Sequence, residues 1–294
     1  MKPVVLVTGI TGFTGALMRT ELESNGYQVA GTALFGPLPG DRVLDIESAA
    51  LCKAVIAEVA PDYVIHLAGI AFVQSDPVKL YAANVVGTVN LLDALAGATH
   101  PVRKVVLASS ANVYGNREGT LISESEEARP ANHYATSKLA MEKMAANYFE
   151  RLPIIITRPF NYTGVGQSTD FLVPKIVAHF AKRAPSIELG NIDVERDFSD
   201  VEMVAKVYRK LIESQSRSLV VNICTGKATS LSQIIAMMEE IAGYRIEVRS
   251  NPAFIRPNDI KHLTGDPTAM IAATGKLDAR PIRAMLEDMY RSFQ

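Results

Sequence analysis

Tyr134 and Lys138 stand four residues apart in His133-Tyr134-Ala135-Thr136-Ser137-Lys138. On a helix that spacing puts both side chains on one face, with the ammonium near the phenol. A free tyrosine titrates near about 10 and is a poor acid at neutral pH. A neighbouring cation favours phenolate, so the pair predicts a tyrosine tuned toward working pH as a proton donor. The bare spacing is also met where a tyrosine packs in a core and a lysine stretches to water. Two further clusters lend it meaning. Ala108-Ser109-Ser110-Ala111-Asn112-Val113-Tyr114-Gly115 offers hydroxyls that can hydrogen-bond a substrate oxygen as charge builds on it. Thr8-Gly9-Ile10-Thr11-Gly12-Phe13-Thr14-Gly15 lets backbone turn sharply and approach a pyrophosphate, whose charge is favoured at a helix N-terminus.

Elements that would hold these residues are legible as alternating runs. Short β-branched stretches at 4–7, 27–30, 63–67, 104–108 and 153–157 are separated by helix-like stretches at 13–24, 48–59, 78–96 and 133–151. Strands that are apolar throughout need cover on both faces, which predicts an α/β fold with a Rossmann-type, doubly wound parallel sheet. The glycine turn then follows the first strand and opens the first helix, and the serines follow the fourth strand. Both lie at the carboxyl edge, where ligands bind in such sheets. After Arg158 glycines and prolines punctuate the pattern, with helix-like stretches at 171–181, 201–214, 231–241 and 282–293. The division expected is a dinucleotide-binding domain over 1–158 with a return segment near 196–222. A smaller α/β substrate region over 159–195 and 223–294 would cap the sheet edge.

Composition narrows the function classes. With 294 residues, 48% of them apolar, the chain has ample material for a core. A formal net charge of −1 advertises neither nucleic acid nor an anionic membrane, so an anionic substrate would need local arginines. Cys52 and Cys224 lack a CxxC partner and read as reduced core thiols. His66, His100, His133, His179 and His262 show no metal-binding spacing, so no metal is expected. The apolar run at 4–7 is too short for a signal peptide, and a cytoplasmic location is expected.

The cofactor reading turns on the end of the second strand, Gly31-Thr32-Ala33-Leu34. A carboxylate there would accept the ribose 2′-OH and favour NAD. None is present, so a 2′-phosphate meets no repulsion; no arginine is visible to select it either. NADP(H) is favoured and NAD(H) stays possible.

Taken together, the glycine turn, the Ser-Ser-x-x-Val-Tyr-Gly stretch and the Tyr-x-x-x-Lys pair resemble the extended short-chain dehydrogenase/reductases that act on nucleotide sugars. The resemblance runs from Val4 nearly to the C-terminus. It implies that Ser110, Tyr134 and Lys138 are catalytic, with Lys138 also holding the nicotinamide ribose. Gly9, Thr11, Gly12, Phe13, Gly15 and Thr32 would border the dinucleotide, Asp45 and Ile46 its adenine, and Leu67, Ala68 and Gly69 would pass under it. Asn84 would support the site. A helix cap for Asp45 and a packing role for Asn84 remain open at this level.

Within the family, dehydratases carry an acid just after the catalytic Ser or Thr, where this chain has Ala111 and Asn112. Neither shuttles a proton, so dehydration is disfavoured. Later stretches are similar to reductases of GDP-6-deoxy-4-keto-mannose: 158–167, 195–201, 221–226 and 251–259. That resemblance implies NADPH-dependent reduction at C4 to GDP-D-rhamnose. Arg196 and Arg256 are suited to a diphosphate, and Asn112, Asn161 and Asp259 are further candidates for the substrate. Surface ion pairing of both arginines with Glu195, Asp197 or Asp259 is the alternative. A 4-epimerase with bound NAD and a non-catalytic redox sensor are the rival functions. Helices 78–96 and 133–151 are expected to pair two subunits as a homodimer, as in relatives.

Overall fold

The structure, a computed structural model, describes residues 2–71, 75–116, 121–254 and 261–294. The first part runs β1 (Val4–Thr8), α1 (Phe13–Ser24), β2 (Gln28–Ala33), β3 (Arg42–Val43), α2 (Ala49–Val59) and β4 (Tyr63–His66). There follow α3 (Pro77–Tyr81), a π turn (Ala82–Val86) and α4 (Gly87–Ala96), then β5 (Lys104–Ala108) and a 3-10 turn (Ala111–Tyr114). α5 (His133–Ala146) and β6 (Ile154–Pro159) complete it. Seven parallel strands form one sheet in the order β10-β6-β5-β4-β1-β2-β3, with β10 at Leu219–Ile223.

Alternation along the strands explains the two helical layers. Leu6, Val64, Val105 and Ile156 point into a core shared with α2, α4 and α5. Val5, Val7, Ile65, Val106 and Ile155 point the other way, onto α1 and α7 (Val201–Glu213). Burial on both faces is what the continuous apolar runs required. From β1 the chain winds outward through β2 and β3, then returns to the other side of β1 through β4 and β5. The glycine turn therefore sits where the winding reverses, the usual place for a ligand crevice in an open α/β sheet.

The remainder adds β7 (Asn161–Thr163), α6 (Leu172–Ala181), β8 (Ser186–Leu189) and β9 (Glu195–Asp200) before α7. After β10 come β11 (Ala228–Ser230), α8 (Leu231–Ala242), β12 (Glu247–Ser250), β13 (His262–Leu263), α9 (Thr268–Thr274) and α10 (Ile282–Ser292). β9 lies outside the large sheet and pairs with β7, β11 and β13. Val173, Ile176, Phe180, Ile234, Met238 and Leu286 close a separate core between α6, α8 and α10.

Two expectations shift in extent. The helix foreseen over 133–151 ends at Ala146, because residues near 147–152 turn the chain toward Pro153 and β6. α9 had no counterpart in the periodicity reading; it is a single short helix between Pro267 and Gly275. Among the described residues no helix is long and apolar enough to cross a membrane.

Candidate active site

Gly9 adopts φ 73°, open to glycine without strain. Its N–H and that of Ile10 both bond the Thr32 carbonyl, at 2.8 and 3.0 Å, which locks the turn onto β2. A methyl group at Gly15 would lie 2.3 Å from the Gly9 carbonyl oxygen, so backbone fills the space a side chain would need. α1 then begins at Phe13 behind Gly12 as its N-cap, with no side-chain cap and no acidic residue in its first turn. Its leading N–H groups thus have the polarity and the clearance that a pyrophosphate requires. Phe13 stacks on Tyr162 at 6.1 Å between ring centroids, and Thr14 Oγ1 lies 3.0 Å from the Tyr162 hydroxyl. Those contacts tie the turn to β7. Thr11 and Gly12 are exposed beside it.

A buried hydrogen-bond chain joins this turn to the helix that carries Tyr134. Thr88 donates its hydroxyl to the Asn84 carbonyl (2.8 Å), so it accepts from His66 Nε2–H (3.0 Å). His66 Nδ1 is then the bare nitrogen and accepts from the Thr8 hydroxyl (2.7 Å), whose oxygen accepts the Ala68 N–H (3.1 Å). On the far side, Asn84 Nδ2 donates to Ser137 Oγ (3.0 Å), and Ser137 donates to the Tyr134 carbonyl (2.8 Å). Asn84 also grips Ile70 at both its N–H (2.9 Å) and its carbonyl (3.1 Å). Gly69 leaves room for it: a side chain there would meet Asn84 Oδ1 at 2.5 Å. Asn84 is on the π turn, a local irregularity that re-aims side chains at such sites.

Burial pushes His66 down to about 3, with Lys138 adding to it, so the ring is neutral as the chain of donors requires. Unfolded, the ring would take a proton near 6.5; folded, it resists until about 3. Stability therefore falls as pH drops through that window, by at most about 1.4 kcal/mol per pH unit from this group. A His66→Gln variant is expected to be about 1–3 kcal/mol less stable at neutral pH, with a shallower decline on acidification. Urea unfolding at stepped pH measures both; equal slopes in the two proteins would contradict this account.

Lys138 and Tyr134 share one face of α5, both buried against the ends of β4 and β5. The Lys138 ammonium donates to the Ala108 carbonyl at 2.8 Å. Burial pulls this lysine down to about 8, opposed by Glu142. Tyr134 does not follow the tuning expected from the spacing. Burial pushes its phenol up to about 12, a hydrogen bond with Ser110 pulls the other way, and Tyr162 raises it further. Loss of hydration is the largest influence on this phenol. Ser110 reaches the phenol from the start of the 3-10 turn, where its Oγ also accepts the Asn112 N–H at 3.2 Å.

The remaining sequence candidates scatter more widely. Asp45 accepts the Glu47 N–H (2.9 Å), while Ser48 is the residue that caps α2. Ile46 is buried beneath Gly87, and the Thr32 side chain is buried as well. Asn161 is exposed on β7. Arg196 donates to the carbonyls of Glu195 (2.9 Å) and Lys261 (3.0 Å). Asp197 instead turns inward and accepts from Thr225 and Gly226 at 2.6–2.9 Å. Arg256 and Asp259 lie outside the described residues.

Several contributors escaped the sequence reading. His66 reaches Thr8 through the pairing of β1 with β4, and Thr88 joins His66 to Asn84. Near the end of β2, Asp41 approaches Arg19 to 2.5 Å in the space left by Gly31, and one Asp41 oxygen is buried without a partner. A carboxylate does therefore approach that strand, though it comes from the loop beyond. Glu142 continues the Tyr134, Lys138 spacing by one more turn, a signal present in the sequence.

The pattern of the NAD dependent epimerase/dehydratase family matches residues 5–224. A GDP-6-deoxy-D-talose 4-dehydrogenase of Aggregatibacter actinomycetemcomitans is 35% identical, covering 98% of this chain and 97% of its own. A GDP-6-deoxy-D-mannose reductase of Pseudomonas aeruginosa is 30% identical, covering 94% and 92%. The structure of RMD from Pseudomonas aeruginosa complexed with NADPH superposes with a TM-score of 0.87 at 29% identity, over 100% of this chain and 98% of that one.

Proposed function

The chain belongs to the NAD dependent epimerase/dehydratase family, and from that footing we propose that it reduces the C4 keto group of GDP-4-keto-6-deoxy-D-mannose. The observation that carries the proposal is the trio of half-buried Ser110 with buried Tyr134 and Lys138, followed by Ala111 and Asn112 in place of an acid. One phenolic proton is available there, and no second proton-transfer group follows the serine.

The residues divide the work as follows. Reduced nicotinamide, when bound, supplies a hydride for the C4 carbon. Tyr134 gives its proton to the C4 oxygen, which takes the carbonyl π electrons as the hydride pair forms the new C–H bond at C4. Its high proton affinity keeps it in the acid form at neutral pH, and an alkoxide is basic enough to take the proton. Ser110 donates a hydrogen bond to the same oxygen. Lys138 holds the ribose hydroxyls with the ammonium now directed at Ala108. Gly9, Thr11, Gly12, Phe13 and Gly15 cradle the pyrophosphate, Thr32, Asp45 and Ile46 border the adenosine, and Leu67, Ala68, Gly69 and Asn84 form the floor. Asn112 and Asn161 meet the sugar, while Arg196, Arg256 and Asp259 attend the GDP. NADP(H) is favoured, in keeping with the NADPH complex of RMD, and NAD(H) is accepted, for which the Asp41 carboxylate held by Arg19 beside β2 speaks. Exposed Val78, Val86 and Met144 support a homodimer through α3–α4 and α5.

Two products are in play because hydride can reach either face of C4. GDP-D-rhamnose is the product implied by the sequence stretches; the fuller match to a 6-deoxy-D-talose enzyme supports its C4 epimer. Incubation with GDP-4-keto-6-deoxy-D-mannose and NADPH or NADH, with NMR of the product, tests the reading. The proton couplings at C4 separate the two sugars. Failure to oxidise either cofactor would overturn it, as would C4 inversion of a fully reduced sugar without net cofactor use.

A further inference from the structure

Behind Ser110 and Lys138 lies a charged pair that the proposed chemistry does not use. Glu142 is one helical turn beyond Lys138 on α5, and Arg158 projects from the end of β6; both are under a tenth exposed. Arg158 grips the carboxylate with two nitrogens, Nε to Oε1 at 2.9 Å and Nη2 to Oε2 at 2.6 Å. Ser109 donates its hydroxyl to Oε1 at 2.5 Å. The third contact of the guanidinium goes to the Tyr114 hydroxyl (3.0 Å), which donates to Asn222 Oδ1 on β10 (2.7 Å). The guanidinium also lies 4.8 Å from the centre of the Tyr114 ring.

A buried ion pair is weak ground for stability, since well-packed apolar side chains of similar volume often serve as well or better. Its placement is more informative. Two consecutive residues at the end of β5 are stitched to α5, Ala108 through Lys138 and Ser109 through Glu142. The next residue is Ser110. We propose that Glu142, clamped by Arg158, is a positioning residue that keeps the Lys138 ammonium charged and fixes the β5 end that presents Ser110.

The other groups facing Lys138 leave this task to Glu142. On its own helix Tyr134 is a neutral phenol, from β4 His66 is a neutral ring, from β5 there is the Ala108 carbonyl, and from the π turn the Asn84 amide. Arg158 on β6 is a cation and cannot favour a second one, so among these groups only the carboxylate it holds can. Burial draws Lys138 down to about 8, and Glu142 is the group that opposes the fall. Without that carboxylate the ammonium would lose its proton nearer neutral pH.

The role assumes the reductase reading, yet its test does not depend on the sugar. Lysines labelled with 13C at Cε are titrated by NMR in the full-length protein, and Lys138 is assigned by the missing signal in Lys138→Met. In Glu142→Gln the Lys138 midpoint is expected to drop by about one pH unit, whereas Glu142→Asp, which keeps the charge, stays near the parent. Because Glu142→Gln strands the arginine, a Glu142→Gln/Arg158→Leu double variant accompanies it. The double variant is expected to recover melting temperature and to keep the lowered midpoint. With the sugar substrate, the reductase rate of both variants falls about fourfold more at pH 8 than at pH 6.5, following one unit of displacement. An unchanged Lys138 midpoint in the folded variants would overturn the proposal. So would failure of both Gln variants to fold, which would make the pair a requirement of the fold alone. A lowered midpoint with no turnover of the 4-keto sugar would leave the electrostatic role standing and sink the substrate reading instead.

Discussion

Replacing Tyr134 by phenylalanine is expected to slow keto reduction by about 10²–10⁴-fold, the usual contribution of a positioned proton donor. The folded state should hardly notice, because the lost hydroxyl makes one hydrogen bond, to Ser110, and the ring stays buried. Melting temperature and NADPH affinity should both remain near the parent, so the loss would be in kcat. Rates carry a second signature. Burial sets the phenol at about 12, so the acid form prevails through neutral pH and reduction is not limited by loss of this proton there. Oxidation of the 4-hydroxy sugar needs the phenolate as base, so its rate should climb about tenfold per pH unit while that form is scarce. Stopped-flow or steady-state assays in both directions measure this. A Tyr134→Phe enzyme with full activity, or an oxidative rate flat with pH, would remove Tyr134 from the mechanism.

Adding a single methyl group at Gly15 is expected to be nearly as damaging, by another route. The new carbon would fall 2.3 Å from the Gly9 oxygen and 2.7 Å from Ile10 backbone atoms, none of which can rotate away. The glycine turn would have to open, at a cost of about 1–3 kcal/mol in stability. It would also lose the close approach that a pyrophosphate needs. An NADPH dissociation constant weaker by about tenfold or more corresponds to a loss of about 1.4 kcal/mol in binding. Calorimetry of NADPH binding and thermal unfolding read the two effects separately. Gly26→Ala is the control: its φ of +87° disfavours a side chain, but nothing lies within 4 Å and the position is remote from the turn. It should lower stability modestly and leave NADPH binding alone. Equal affinity for NADPH in Gly15→Ala and the parent would argue against a dinucleotide at this turn.

Much of the site was readable before any fold was known, for reasons that are local. The glycine turn follows an apolar run directly, and Tyr134 and Lys138 are related by helical periodicity alone. Ser110 lies just past a strand whose type was evident from its β-branched residues. The parallel sheet followed from the same local patterns, since strands apolar on both faces have one common solution. What escaped was decided by partners distant in the chain. His66 becomes a neutral connector only when β1 and β4 lie side by side and Thr8, 58 residues away, reaches its Nδ1. Asp41 meets Arg19 at a separation of 22 residues along the chain, and Asp197 finds its donors in Thr225 and Gly226.

The proton affinity of Tyr134 is the clearest case. Sequence alone established that Tyr134 and Lys138 would face the same way on α5. Tertiary structure decided that the ammonium answers first to Ala108, that Glu142 stands behind it, and that the phenol is stripped of water. A charge four residues away is a local fact, whereas desolvation is the sum of everything packed around a group, and that sum exists only in the folded chain.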